Sequence, residues 1–293
     1  FLQTTRRCLY LKIPGPPPGY DVRTETVVYA STDDGATFQQ RTTAGTVGPG
    51  ISRSVFRTDD PVLSRPARSL FDAADSRLIT INGSESGGGV TAEAATLPVD
   101  ASPPAAFKVN LTTSPLIGQV GIAQRERNSF VATWAEQAVT SDATWTVHLR
   151  TFDCPNCTNS AFGQAANWSP IIDVPGPAIN PRVVSGPSGT FVYYQHVSSN
   201  RGTGLYARLI TGASLGPESA NLIPNAAGFE PFDVVQEPSG RSHLVTNEFR
   251  AGGRANQLTY HGAPDGTTFG AATFLDADRP NTDEPAPALI AAR

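Results

Sequence analysis

The sequence predicts an all-β protein built from repeated, four-stranded antiparallel units. Three observations carry this. First, the 293 residues include 27 glycines and 25 prolines, which break the chain into short runs of aromatic and β-branched residues; at 39% hydrophobic the chain is too apolar for a solvated coil. Second, no window of roughly 11–18 residues repeats apolar side chains at helical spacing. Third, two segments copy one another. Asn180-Pro181-Arg182-Val183-Val184 runs through Gly186-Pro187-Ser188-Gly189 into Thr190-Phe191-Val192-Tyr193-Tyr194. Glu230-Pro231-Phe232-Asp233-Val234-Val235 runs through Glu237-Pro238-Ser239-Gly240 into Ser242-His243-Leu244-Val245. Each reads as a strand, a Pro-Ser-Gly hairpin turn and a second strand.

Weaker copies extend the plan toward the N-terminus. Pro66–Phe71 leads through Asp75-Ser76 to Arg77–Ile81, and Gln119–Ala123 leads through Asn128-Ser129 to Phe130–Trp134. Third strands are expected at Thr144–Phe152, Leu205–Ile210 and Asn256–Tyr260. Poorer outer strands are expected at Phe107–Leu111, Ser169–Val174, Ser219–Ile223 and Ala271–Leu275. A weak outer strand suits an edge, where an unpaired side invites aggregation.

A unit of about 50–60 residues is the size of a propeller blade. The expectation is therefore a single β-propeller domain over residues 1–293, with blades at 66–113, 117–174, 178–224 and 228–276. A fifth blade would combine 285–293 with 1–46, closing the ring with strands from both termini. Residues 47–65 form a long connection, and six blades result if that connection holds degenerate strands. The sequence begins at Phe1 and contains no methionine, which leads us to expect a piece of a longer precursor.

Ser31-Thr32-Asp33-Asp34-Gly35-Ala36-Thr37-Phe38 follows the expected strand Thr24–Ala30. Its carboxylate and hydroxyl can bond backbone N–H groups two residues on, glycine relaxes the turn, and Phe38 returns to the core. Gly262–Phe269 occupies the same place in its unit. It keeps Gly266, Thr268 and Phe269 but carries Asp265 one position late. The first segment, with Ser31, Asp33, Gly35, Thr37 and Phe38 in register, resembles the Asp-box of the sialidase-like (BNR-repeat) β-propellers.

That resemblance implies an extracellular or cell-surface propeller that holds a glycan or protein ligand on its channel-side loops. It alternatively implies an exo-sialidase type of glycoside hydrolase. Such an enzyme clamps a carboxylate with arginines and attacks with a tyrosine activated by a glutamate. The candidates here are Arg68, Arg182 and Arg250 as carboxylate binders, and Tyr194 with Glu136 or Glu248 as the catalytic pair. The family's Phe/Tyr-Arg-Ile-Pro signature has its nearest match in Leu11-Lys12-Ile13-Pro14, with lysine replacing arginine. The Asp-box residues themselves are expected to lock turns on the opposite face, and His196 and His243 to be hydrogen-bonded within their strands.

Other classes lack support. The net charge is −4, the only lysines are Lys12 and Lys108, and no basic cluster interleaves with aromatics, so nucleic acid is not the expected partner. No run of about 18 apolar residues marks a membrane span. There is no P-loop, dinucleotide fingerprint or Gly-x-Ser-x-Gly elbow, and no cofactor is expected. Cys154-Pro155-Asn156-Cys157 lacks the second pair that zinc needs. The sequence leaves a disulfide-pinned or reduced loop, a partial metal site and redox chemistry open, with Cys8 as the odd cysteine. Asn82, Asn110, Asn156 and Asn167 sit in Asn-x-Ser/Thr sequons, which a Ser/Thr-rich chain produces by chance.

Overall fold

The computed structural model describes residues 2–13, 19–30, 39–42, 52–54, 67–72, 75, 77–86, 89–98, 107–114, 116–137, 144–198, 201–223, 229–249 and 256–275. Among these, five four-stranded antiparallel sheets are seen. The first contains β1 (Leu2–Ile13), β2 (Gly19–Ala30) and β3 (Gln39–Thr42), with β4 (Ser52–Ser54) pairing to β2. The expected long connection thus contributes a short strand. The second sheet runs β5 (Ala67–Asp72), β6 (Arg77–Ser86), β7 (Gly89–Pro98), β8 (Phe107–Ser114). The third runs β9 (Leu116–Glu126), β10 (Ser129–Gln137), β11 (Thr146–Asp153), β12 (Ile172–Asp173). The fourth runs β13 (Ala178–Gly186), β14 (Gly189–Ser198), β15 (Arg201–Thr211), β16 (Ser214–Glu218). The fifth runs β17 (Phe229–Gln236), β18 (Ser242–Phe249), β19 (Asn256–Ala263), β20 (Thr273–Phe274).

From β5 onward spatial order equals chain order, so each sheet is a meander of hairpins. The first strands β5, β9, β13 and β17 pack on one another in succession and are the inner strands. The expected ring closure by residues 285–293, and the Asp-box at Ser31–Phe38, lie outside the described residues.

Alternation along the strands decides the core. Even-numbered residues of β10 (Phe130, Ala132, Trp134) pack with Ile79, Ile81, Val109 and Leu111 of the second sheet. Odd-numbered Val131 and Ala135 pack with Val183, Val192 and Tyr194 of the fourth. Phe191 and Tyr193 then meet Phe232, Val234 and Leu244 of the fifth. The third and fourth sheets are thus buried on both faces. Each buried Ile, Val or Phe is worth about 1.5–3 kcal/mol against exposure.

One inner feature repeats. Gly118-Gln119 stands opposite Ala135, Asn180-Pro181 opposite Tyr194, and Glu230-Pro231 opposite Asn247, as bulges at the same height in three consecutive sheets. Asn180 adopts φ 57°, the left-handed conformation that asparagine tolerates better than most residues. The extra residue lets Pro181 and Pro231 sit in a paired strand without a missing ladder bond.

Two expectations need correction. The outer strand of the fourth sheet is Ser214–Glu218, not Ser219–Ile223. Gly212, at φ 58°, permits a tight return straight from β15, so pairing begins at Thr211–Ser214. Ser219 and Leu222 continue to donate their backbone N–H groups to the Ala207 and Leu205 carbonyls without forming a strand. In the third sheet the outer strand shortens to Ile172–Asp173 because the preceding segment is packed as a plug.

That plug is the loop 154–168. It is closed by a Cys154–Cys157 disulfide, one of the alternatives left open by the sequence, and it contains one turn of helix, α1 (Asn159–Phe162). Phe162 is buried against Phe130, Phe152 and Trp168, with ring centroids 5.8, 5.4 and 5.1 Å away. Arg150 gathers the carbonyls of Ser169, Ala165 and Trp168 at 2.6, 3.1 and 3.3 Å, satisfying backbone groups that no sheet partner reaches.

The turn at Gly262–Phe269 is held as the sequence predicts, through a shifted carboxylate. Asp265 Oδ1 accepts the N–H groups of Thr267 and Thr268 at 2.7 and 2.6 Å, and Oδ2 accepts the Thr268 hydroxyl at 2.9 Å. Gly266 is required by close approach: a Cβ there would lie 2.4 Å from the Phe191 ring, and its carbonyl accepts the Tyr193 hydroxyl at 2.6 Å. The Thr267 N–H bond leads the influences holding the Asp265 carboxyl below its ordinary 3.8. Its folded pKa being lowered, Asp265 contributes stability fully above pH 3.8 and loses it as pH falls through the folded value. Asp265→Ala is expected to cost about 0.5–2 kcal/mol in urea melts at pH 7, by analogy with a lost cap. The difference from the parent chain should narrow as pH falls below 3.8; a cost that does not change with pH would contradict the carboxylate's role.

Candidate functional site

In each meander the second-to-third and fourth-to-first connections share one face. Two polar clusters lie at that face in consecutive sheets. Both use the ends of strands two and four and the facing part of strand three, because antiparallel pairing brings these positions to one level.

In the third sheet Glu136 lies near the end of β10, His148 near the start of β11 and Asp173 at the end of β12. His148 Nδ1 is 2.7 Å from Asp173 Oδ1, and His148 Nε2 is 3.4 Å from Glu136 Oε1. The imidazole stacks on Trp134, whose indole N–H donates to Glu136 Oε2 at 2.9 Å. Asp173 reaches solvent, its side chain 68% exposed, while Glu136 and His148 are mostly covered. The unit is an imidazole held between two carboxylates, with no cation beside it among the described residues. No group of three His, Cys, Asp or Glu residues there is arranged to hold a metal ion.

In the fourth sheet the carboxylate beside Tyr194 is Glu218, not Glu136 of the expected pair. Tyr194 donates its hydroxyl to Glu218 Oε2 and accepts from Arg208 Nε at 2.9 Å. Arg208 also donates to the Gly216 carbonyl at 2.9 Å, and His196 Nε2 lies 3.3 Å from Glu218. The His196 ring meets Tyr206 edge-on at 4.3 Å. Burial, then the Glu218 hydrogen bond, pushes the Tyr194 hydroxyl above its ordinary value of 10. Burial pushes Glu218 up, but the bonds from Tyr194 and His196 outweigh it, so the carboxyl titrates below its ordinary 4.5. Tyr194 is 0% exposed. The buried Tyr194 ring and its bonds to Glu218 and Arg208 tie β14, β15 and β16 together.

Arg182, on β13, is committed to the neighbouring sheet. Its Nε lies 3.6 Å from Asp233 Oδ1, its Nη1 donates to the Pro181 carbonyl at 2.9 Å, and the guanidinium covers the Phe232 ring at 5.7 Å. It links inner strands β13 and β17. Arg68 pairs through its backbone with Ile81 on the inner strand β5, and Glu248 pairs with Phe229 and Gln257. The side chains of these two residues, and Arg250 entirely, lie outside the described residues, and with them the expected convergence of the three arginines. His243 is held, as expected, between Tyr260 and Glu237 at 2.6 Å each.

Glu218, Arg208, His148 and Asp173 were not singled out from the sequence. Glu218 hid behind the misplaced outer strand. The Thr211-Gly212-Ala213-Ser214 turn was the signal that places it, because a glycine there starts the hairpin earlier.

No protein-family model and no curated protein sequence matches the chain. Among solved structures it is similar to an α-L-arabinanase of Penicillium chrysogenum complexed with arabinobiose, with TM-score 0.52 and 15% identity over 92% of this chain and 80% of that one. A NanB sialidase of Streptococcus pneumoniae follows at TM-score 0.47 and 11% identity, covering 86% of this chain and 40% of that one. The Aleuria aurantia lectin in complex with a fucosylated N-acetylglucosamine reaches TM-score 0.46 and 8% identity, covering 90% and 75%. At TM-scores below 0.5 neither of these last two bears on the fold. The arabinanase likeness, with the antiparallel four-stranded meanders, gives the architecture as that of a β-propeller.

Proposed function

We propose that the chain is a secreted or cell-surface propeller of the sialidase-like, Asp-box type that binds a glycan or protein ligand. In this reading it has five blades, and residues 285–293 join β1 to close the ring. One observation carries the choice of binding over catalysis. The Tyr194 ring is buried with its hydroxyl donating to Glu218, and Arg182 on the inner strand β13 is engaged with Asp233. The first contact ties strands within the fourth sheet and the second ties the fourth sheet to the fifth, which is what a rigid scaffold for loops requires. The Asp265 turn supports the Asp-box assignment by its hydrogen bonds. The arabinanase was solved with arabinobiose, which makes a glycan the first ligand to test.

A glycoside hydrolase is the second reading, favoured by the exposed carboxylate of Asp173 near Glu136 on the loop face. The two separate in one experiment. The purified chain is applied to a glycan array and incubated with fluorogenic sialosides, arabinosides and xylosides. Binding without turnover is expected. Turnover abolished by Glu136→Gln, with the melting temperature retained, would establish the hydrolase instead. Neither binding nor turnover would overturn the glycan reading.

A further inference from the structure

The Cys154–Cys157 disulfide has no evident task as a staple. It closes four residues, so it removes little freedom from an unfolded chain in which the two cysteines are already three residues apart. The fold of its loop is carried by other contacts. Cys157 N–H bonds the Cys154 carbonyl at 3.0 Å, and Cys154 N–H bonds the Asn128 carbonyl at 3.0 Å. The Asn128 amide donates to the carbonyls of Pro155 and Cys157 at 3.3 and 3.2 Å. Asn128 is held by Arg77, and Phe162 and Trp168 anchor the segment beyond. The turn is therefore preorganised with or without the sulfur–sulfur bond. The intervening Pro155 and Asn156 are exposed and both cysteines are only half-buried, so a small thiol can reach the bond.

We propose that Cys154 and Cys157 form a reversible thiol–disulfide exchange site for a dithiol partner, one that switches redox state without unfolding the propeller. A thiolate of the incoming dithiol attacks one sulfur of the pair, forms a mixed disulfide and expels the other cysteine as a thiolate. The second thiol of the reagent then attacks the reagent's own sulfur in that mixed disulfide and releases the remaining cysteine. Two electrons and two protons pass to the pair, and the dithiol leaves as its cyclic disulfide. The exchange is independent of glycan binding, because the loop follows a third strand and lies at the face opposite the Glu136 and Glu218 clusters.

The test uses the full chain, folded, with dithiothreitol as the dithiol. Free thiols are tagged with a maleimide and located by peptide mass spectrometry, which separates Cys154 and Cys157 from Cys8. Near-complete tagging of both residues without denaturant is expected. Near-ultraviolet circular dichroism should be unchanged, the melting temperature should fall by less than about 5 °C, and oxidised glutathione should restore the bond. Tagging only after denaturant is added would overturn the proposal. So would loss of the near-ultraviolet signal on reduction, which would make the bond a staple. The Cys154→Ser/Cys157→Ser double variant gives the same answer by another route, since a staple would be exposed by a melting temperature lower by more than about 10 °C.

Discussion

Arg77→Ala is expected to lower the unfolding free energy by about 3–5 kcal/mol. Arg77 is 1% exposed and opens β6, directly across the hairpin from Asp72 at the end of β5. Its Nε and Nη2 donate to Asp72 Oδ2 at 3.0 and 2.9 Å, and Nη1 donates to Asn159 Oδ1 at 2.6 Å. Nη2 also bonds Asn128, and the guanidinium covers Phe130 at 5.2 Å. One side chain thus ties a hairpin of the second sheet to a turn of the third and to the plug. Removing it strands the buried Asp72 carboxylate without its counter-charge. Arg77→Lys should recover little, because a single ammonium cannot supply donors in three directions at once. The Asp72→Ala/Arg77→Ala double variant should be more stable than Arg77→Ala alone, since the stranded charge is gone. Urea denaturation of the parent, Asp72→Ala, Arg77→Ala and the double variant measures the cycle; a loss below about 1 kcal/mol for Arg77→Ala would contradict the network's role.

Phe162→Ala is expected to cost about 3–5 kcal/mol, the range for a buried phenylalanine whose surroundings cannot collapse. Its ring fills the space between Phe130, Phe152 and Trp168. The Trp168 indole N–H donates to the Phe162 carbonyl at 2.9 Å, so the plug is pinned from both sides. The loss should appear in urea melts and as a changed near-ultraviolet tryptophan signal, because Trp168 would lose its edge-on neighbour. A melt within about 1 kcal/mol of the parent would show that the loop packs independently of the sheets.

The legible part of the architecture was local. Pro187-Ser188-Gly189 and Pro238-Ser239-Gly240 predicted their hairpins because proline, serine and glycine suit a turn whatever surrounds it. The second strands followed from the alternating or continuous apolar runs in Phe130–Trp134 and Thr190–Tyr194. The outer strands were less legible, since an edge strand needs neither alternation nor a long apolar run. Ser214–Glu218 was accordingly displaced to Ser219–Ile223, and the displacement hid Glu218. The candidate site depended on that strand. Tyr194 could be singled out as a tyrosine wanting a carboxylate, but its carboxylate is 24 residues away in the chain and reaches it only through the register of β14, β15 and β16. Arg77 carried no signal at all, because its partners Asn128 and Asn159 belong to other turns.

By itself the sequence determined the periodicity: which residues turn, which alternate, and that the chain is a succession of β hairpins of one size. These properties are set by the backbone preferences of each residue and by side-chain spacing along a strand. Tertiary structure alone decided which charges meet. It paired Arg182 with Asp233, Tyr194 with Glu218, and His148 with Glu136 and Asp173. The physical reason is that an ionisable group's role depends on burial and on partners a few ångströms away in space, and neither quantity is written in the order of the residues.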